Sequence, residues 1–468
     1  MSSNPFPASI AQRSWPAVGW QVGALAVGMA VGGLAAVDVT IAVAVGGTIA
    51  LGLVLLMRPE LLLPLLAGSI FVEATTLSGI TISRLLAPAA LIVLLAVASR
   101  DRVPIRAAAP LWFAIAYATW AVFSGVWTTD TGLTRDYLGS LAIAFVYMLA
   151  IAGLLRSERD LHRVGLTLAF AALALGLFAI TDYLFGFGWA LESGRAAGGA
   201  GDPNYFAVYQ VIALPVTLAM GANARSQGLR VALYAAAAVI VLSVFVSLSR
   251  GGLLTLAVVS VLALALPTRT LFRSPVQKAA IFCIFLIGVA FASQSTATEI
   301  GSRFTTLASR DETGSGRTGL WMAGWTGIKD RPLLGLGYGG FRGASNDLIL
   351  RTPGVDLRHY ELRPKGHEAH NMYISTTADL GVPGLALLLG LLAATGRSLR
   401  RTATLAIETG KPFVSNLANA LALSLVAFSL AAIFLSAETS RALWILVGLA
   451  LALPKLLGER VEEEPRPR

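Results

Sequence analysis

The chain is poor in the residues on which soluble folds rely. Only 13% of its 468 residues are charged, against about 25% in an ordinary soluble domain. It has a single cysteine, Cys283, inside an apolar run. No intrachain disulfide can form, and packing is the expected role of that thiol. There are four histidines, His162, His359, His367 and His370. The last three share one polar stretch, but no cysteine or HExxH pattern accompanies them, so they do not read as a metal site. No segment keeps the strict apolar–polar alternation of a transmembrane β-barrel. Residues 1–16 hold one arginine and three prolines, and the apolar run that follows exceeds the length of a signal peptide, so it reads as an uncleaved first span.

What the chain has instead is apolar length. It is 56% hydrophobic with a mean hydropathy of +0.71, and many runs reach the roughly 18–20 residues a bilayer span needs. The expected fold class is all-α, a polytopic helical membrane protein of about 12–14 spans. These fall near 18–37, 39–57, 61–76, 84–99, 110–127, 138–155, 164–182, 203–221, 231–248, 251–267, 279–294, 372–395, 412–435 and 441–457. The third and fourth are short enough to be re-entrant. The organisation is therefore 1–294 transmembrane, 295–371 a large polar loop, 372–457 transmembrane and 458–468 a polar tail. No internal repeat is visible.

Charge placement sets the expected orientation. Basic clusters occupy every second connection: Arg58, Arg100/Arg102/Arg106, Arg156/Arg159/Arg163, Arg225/Arg230, Arg269/Arg273/Lys278 and Arg397/Arg400/Arg401/Lys411, then the tail from Lys455. Of 36 Lys and Arg, 21 fall on that side, counting Arg13, and five (Arg84, Arg135, Arg195, Arg250, Arg441) in short connections of the other. By the positive-inside rule both termini are cytoplasmic and the long loop is external. The same scatter of short clusters speaks against nucleic acid as the partner of a chain with net charge +10; the bilayer is the expected partner. One break follows from length alone. Residues 231–266 as one helix would run about 54 Å against a core of about 30 Å. The chain must turn at Ser249-Arg250-Gly251-Gly252, where the glycines mark the place.

Several outer residues are candidates for chemistry, each with an ordinary structural alternative. His370 opens the run that enters the membrane after the long loop. A neutral imidazole there can accept a proton from a hydroxyl, or merely begin a helix. Arg250 and Arg317 suit phosphate oxygens, or simply snorkel to water. Asp202 before Pro203 reads as helix-start chemistry, which explains Asn204 and Tyr205 less well. Arg195 adds another outer cation. Trp321, Trp325 and Ile328 share one helical face, suited either to the membrane surface or to packing. Residues 331–341, with four glycines and Tyr338, permit tight turns or close approach to a ligand. Together, the outer cations and one histidine suit a diphosphate presented from the outer leaflet.

In these motifs the chain resembles the O-antigen ligase and O-antigen polymerase family of bacterial envelope glycosyltransferases. That family closes on His, then Asn, Ser or Gln, nine residues, Gly, two residues, and Gly, Thr or Tyr. Here His370-Asn371, nine residues from Met372 to Leu380, Gly381, Val382-Pro383 and Gly384 match throughout. Ser249-Arg250-Gly251-Gly252, Gly316-Arg317 with Leu320-Trp321, Pro332–Gly337 and Asp202-Pro203-Asn204 also fit, so the likeness covers roughly 195–395. It implies a GT-C-like fold in the bacterial inner membrane and an inverting, metal-independent transfer without cofactor at the periplasmic face. The donor would be a glycan on undecaprenyl diphosphate and the acceptor a hydroxyl of lipid A–core. Arg250 and Arg317 would hold the diphosphate and His370 would serve the acceptor. Asn371, Arg195, Asp202, Asn204, Tyr205 and Tyr338 would be supporting. A polymerase joining lipid-linked repeats, or a protein O-oligosaccharyltransferase, shares the motif. A flippase or transporter is the rival of another class. Transporters tend to bury ions at mid-membrane and repeat their halves, whereas here charges cluster at the rim and the halves differ.

Overall fold

The structure is a computed structural model that describes residues 39–73, 76–77, 80–99, 105, 107–188, 191–192, 195–295 and 316–458. The expected first span, 18–37, the tail from 459 and the first part of the long loop lie outside the described residues. What is described is almost wholly helical. Helix α1 spans Val39–Met57, α2 Leu62–Ser69, α3 Ile82–Ala98, α4 Ala109–Phe123, α5 Thr131–Leu154 and α6 Glu158–Phe185. They are followed by α7 Pro203–Asn223, α8 Gln227–Val246, α9 Arg250–Ala265, α10 Thr268–Leu271 and α11 Pro275–Ser295. The polar loop carries α12 Arg317–Asp330 and α13 Gly340–Arg351. Then come α14 Met372–Glu408, α15 Pro412–Ala431 and α16 Arg441–Ala452. Two two-residue antiparallel ladders are the strands among the described residues: Thr76–Leu77 with Ile80–Thr81, and Leu191–Glu192 with Arg195–Ala196.

Seven of these helices are long and apolar enough to cross a membrane. The expected second and third spans are α1 and the short α2, bent by 108° at the break after Met57; neither is among the seven, and together they add an eighth only when the bent pair is one span. The expected fourth and tenth become the shorter apolar helices α3 and α9, and the last becomes α16, continued by a 3₁₀ turn over Leu453–Leu457.

Helix α7 is the centre. Its residues are apolar on every side, as a helix buried all round must be, and 89% of its membrane-length window is buried. It packs against α6, α8 and α15, while α14 packs against α4 and α15, and α5 against α16. The loop helices form a separate small core of Leu320, Ala323, Ile328, Leu336, Phe341, Leu348 and Ile349. Trp321 and Ile328 thus follow the packing reading: the Trp321 indole donates to the Ala369 carbonyl at 3.0 Å, and Ile328 is buried. Trp325 faces outward at 57% exposure, with Lys329 5.9 Å over its ring.

One end of the bundle is stitched by basic side chains. Arg273 donates to the carbonyls of Ala222 (2.8 Å) and Ala224 (3.2 Å), Arg230 to Ala224 (3.2 Å), Lys278 to Leu266 (3.1 Å) and Lys455 to Ala152. These are the last carbonyls of α7, α9 and α5, groups no intrahelical donor can reach, and cations are favoured there by the helix dipole.

Candidate active site at one end of the bundle

The opposite end collects the starts of α7, α9, α14 and α16. Hydrogen bonds join their connections. The Tyr205 hydroxyl donates to the Ser436 carbonyl at 2.6 Å, and the Met372 N–H to the Ala432 carbonyl at 2.9 Å. Tyr373 donates to the Ser429 carbonyl at 2.7 Å.

Arg250 is the first residue of α9, and Ser249 is its cap, its hydroxyl accepting the Gly252 N–H at 3.1 Å. The turn itself is made elsewhere than the sequence suggests. Leu248, not a glycine, takes the left-handed conformation (φ 51°). Gly251 and Gly252 lie inside α9, where a β-carbon would meet Phe434 at 2.8 Å and Ala207 at 2.5 Å. They serve close packing rather than the turn.

Asn204 has a clear structural task. Its side-chain oxygen accepts from Arg195 at 3.2 Å and from the Ser249 hydroxyl at 2.9 Å. Arg195 also donates to the Ser247 carbonyl at 3.2 Å. One amide therefore holds both Arg195 and the approach to Arg250. Asp202 caps α7, accepting the N–H groups of Asn204 (2.7 Å) and Tyr205 (3.0 Å) through Oδ1.

His370 stands just outside α14, with Asn371 as its cap; the Asn371 side chain accepts from Tyr373 and Ile374 N–H, each at 3.0 Å. His370 has φ 47°. Leu248 and His370 are the two non-glycine residues with positive φ among the described residues. Such strain costs of order 1–3 kcal/mol and persists where the surroundings fix it. Here both cases fall beside candidate residues.

Electrostatics shows what the fold brings together. Burial, and then the Arg317 guanidinium, hold the His370 imidazole at about 4, with the Asp202 carboxylate opposing them. The imidazole is thus neutral at pH 7. Arg317 is itself held below its ordinary value by burial; Asp202 opposes this, while Arg195 and Arg250 add to it. Arg195, Asp202, Arg250, Arg317 and His370 consequently share one field. Three guanidiniums this close repel one another, and an anion placed among them is favoured.

Tyr338 lies apart from this group. It is fully buried and meets Tyr117 and Tyr137 edge-on at 6.3 and 5.7 Å. The closing motif's glycines also have a mechanical role. Gly381 has φ 69°, ψ −175°, a region essentially open only to glycine. It breaks α14, and the freed backbone finds partners in the outer loop. The Ala378 carbonyl accepts from Leu336 N–H and the Asp379 carbonyl from Gly337 N–H, each at 2.9 Å. Trp120 reaches the Leu380 carbonyl at 2.8 Å, and Val382 N–H the Pro332 carbonyl at 2.8 Å. The Asp379 carboxylate accepts the N–H groups of Gly339 (2.8 Å) and Phe341 (2.7 Å).

Three acidic residues escape a sequence reading. Glu73 pairs with Arg441, and Tyr209 donates to its other oxygen. Glu368, two residues before His370, pairs with Arg342 at 2.9 Å. Burial raises its carboxyl, an effect Arg342 opposes. Glu438 is 2% exposed and accepts from the Ser375 hydroxyl at 3.4 Å. Only Glu368 had a local signal, its adjacency to the histidine. Among the described residues no group of three or more His, Cys, Asp and Glu is placed to hold a metal.

Fold and rim together define an all-α polytopic membrane protein with cations and a histidine gathered where one set of helix ends meets. Residues 235–389 match the family described as O-antigen ligase, and that region of the chain is similar to it. The match includes Arg250, Arg317, His370, Gly381 and Gly384 and stops short of Arg195–Tyr205. No curated protein matches the chain.

Proposed function

We propose that the protein transfers a glycan from undecaprenyl diphosphate to a hydroxyl of lipid A–core, at the periplasmic face of the inner membrane, without a metal. The observation that carries this reading is that Arg317 is coupled to Arg195 and Arg250 on one side and to a neutral His370 on the other, in a region of O-antigen ligase type. The acceptor oxygen attacks the anomeric carbon from the face opposite the diphosphate. The bond between the anomeric carbon and the diphosphate oxygen breaks, and its electron pair leaves with the diphosphate. Arg250 and Arg317 stabilise that charge, and His370 takes the acceptor's proton. Asn204 anchors Arg195 and the approach to Arg250, Asp202 caps α7, and Asn371 fixes the start of α14 beside the histidine.

The test is product identification. Purified protein is incubated with lipid-linked glycan and either core glycolipid or more donor. Glycan joined to core lipid is expected. Elongated donor would establish a polymerase instead, and movement of donor across a bilayer without a new glycosidic bond would establish transport.

A further inference from the structure

The stretch 360–367 is a fixed turn that bridges the start of α12, where Arg317 sits, to His370. Tyr360 donates to the Gly316 carbonyl and covers Gly319. The Asn346 side chain holds Arg363 from both sides, donating to its carbonyl at 2.8 Å and accepting its N–H at 3.4 Å. His367 N–H donates to Ser345 Oγ at 2.7 Å, and its ring meets the Glu361 carbonyl at 2.8 Å. Such anchoring leaves little conformational freedom in the turn, so a side chain it presents is pre-placed.

It presents Arg363 and Lys365, both exposed. Three other loop arginines face carboxylates: Arg342 has Glu368 at 2.9 Å, Arg351 has Asp330 at 2.6 Å and Arg358 has Asp356 at 2.7 Å; the exposed Arg331 has no ion pair among the described residues. Arg363 and Lys365 have no ion pair among the described residues. We infer that Arg363, with Lys365 beside it, is an acceptor-side anion contact, which binds a phosphate carried by the saccharide acceptor and brings its hydroxyl to His370. Arg363 also depresses the His370 imidazole, so its charge reaches the candidate base. Arg317 does so more strongly, so the imidazole lies in the field of two guanidiniums from different segments. One suits the donor's diphosphate, and the other is left for the second substrate.

The inference rests on the transfer reading, yet its test reads binding and needs no transfer. Equilibrium binding of a phosphorylated core glycolipid to full-length protein in detergent is compared for wild type, Arg363→Gln and Arg363→Gln/Lys365→Gln. Enzymatically dephosphorylated glycolipid, inorganic phosphate and phosphatidylglycerol serve as comparison ligands. The expected result is a roughly tenfold weaker Kd for phosphorylated lipid in the single variant, the usual scale of a lost charge-assisted contact. Lipid-linked donor should bind all three proteins equally, and dephosphorylated lipid should bind wild type as weakly as the variants. An unchanged Kd, an equal loss of donor binding, or equal competition by phosphatidylglycerol or phosphate would each overturn the inference. Wild-type protein that binds through Arg363 but forms no glycosidic bond would sink the transfer reading and leave this one standing.

Discussion

At the scale of single residues, the proposed transfer gives His370 and the arginines different tasks, so they should fail differently. Arg250→Ala and Arg317→Ala should lose donor affinity as well as rate, because bonds to phosphate form in ground and transition states alike. Lysine should restore neither fully, since a point charge cannot reproduce the guanidinium fork. His370→Ala should bind donor normally and turn over at least about a hundredfold more slowly. Donor binding and single-turnover rates of well-folded protein decide this, and near-normal turnover would make His370 structural. The imidazole also sets a pH signature. Its depressed value, about 4 in the free protein, means that base competence is present at neutral pH and lost as pH falls through about 4. A bound diphosphate offsets Arg317, so the imidazole should recover toward its ordinary value. The acid limb of the single-turnover rate with donor bound should therefore lie at least about one pH unit above that of kcat/KM, since the two report bound and free enzyme. Coincident limbs would remove Arg317 from the histidine's field.

At the scale of elements, the closing motif has a mechanical part beside the chemical one proposed for it. His370 lies outside α14, and Gly381 breaks it about 15 Å further along at 1.5 Å per residue. The carbonyls that the break releases are taken by the glycine-rich loop and Trp120. Gly381→Ala should be severely destabilising. Its β-carbon would stand 2.2 Å from the Leu333 carbonyl oxygen, and the conformation alone costs about 1–3 kcal/mol for other residues. A large fall in detergent melting temperature and in protein level is expected; an unchanged melting curve would show that the break is dispensable. This scale also shows how far the sequence could be read. Helices were legible because apolar length is a local property, and His370, Arg250 and Arg317 were legible because rim cations stand out in an apolar chain. Trp120 with Leu380, or Glu73 with Arg441, meet across hundreds of residues that no spacing encodes. The sequence suggests a glycine turn where Leu248 makes it, because Gly251 and Gly252 look alike from sequence whether they bend a chain or let two helices touch. Asn204 stands out in sequence, but its double acceptance from Arg195 and Ser249 depends on the pairing of three separate segments.

For the whole molecule, the two ends differ in kind. At one end basic side chains occupy the last carbonyls of helices, and at the other Arg195, Arg250 and Arg317 crowd around one site with Asp202. Cysteine labelling in intact cells should modify position 365 from outside and position 400 only after permeabilisation; the reverse would place the chemistry on the wrong side for a periplasmic reaction. Activity should survive EDTA, because arginines supply the charge that a metal would; loss with rescue by one divalent ion would refute that. The crowded end has a further consequence for turnover. Donor diphosphate is a diester, whereas the lipid diphosphate left behind is a monoester and gains negative charge. Arginines that cannot lose their own charge should hold this spent carrier at least as firmly as fresh donor. Its departure, rather than bond making, should then pace the steady state, and the protein would depend on whatever removes the used lipid from the membrane around it.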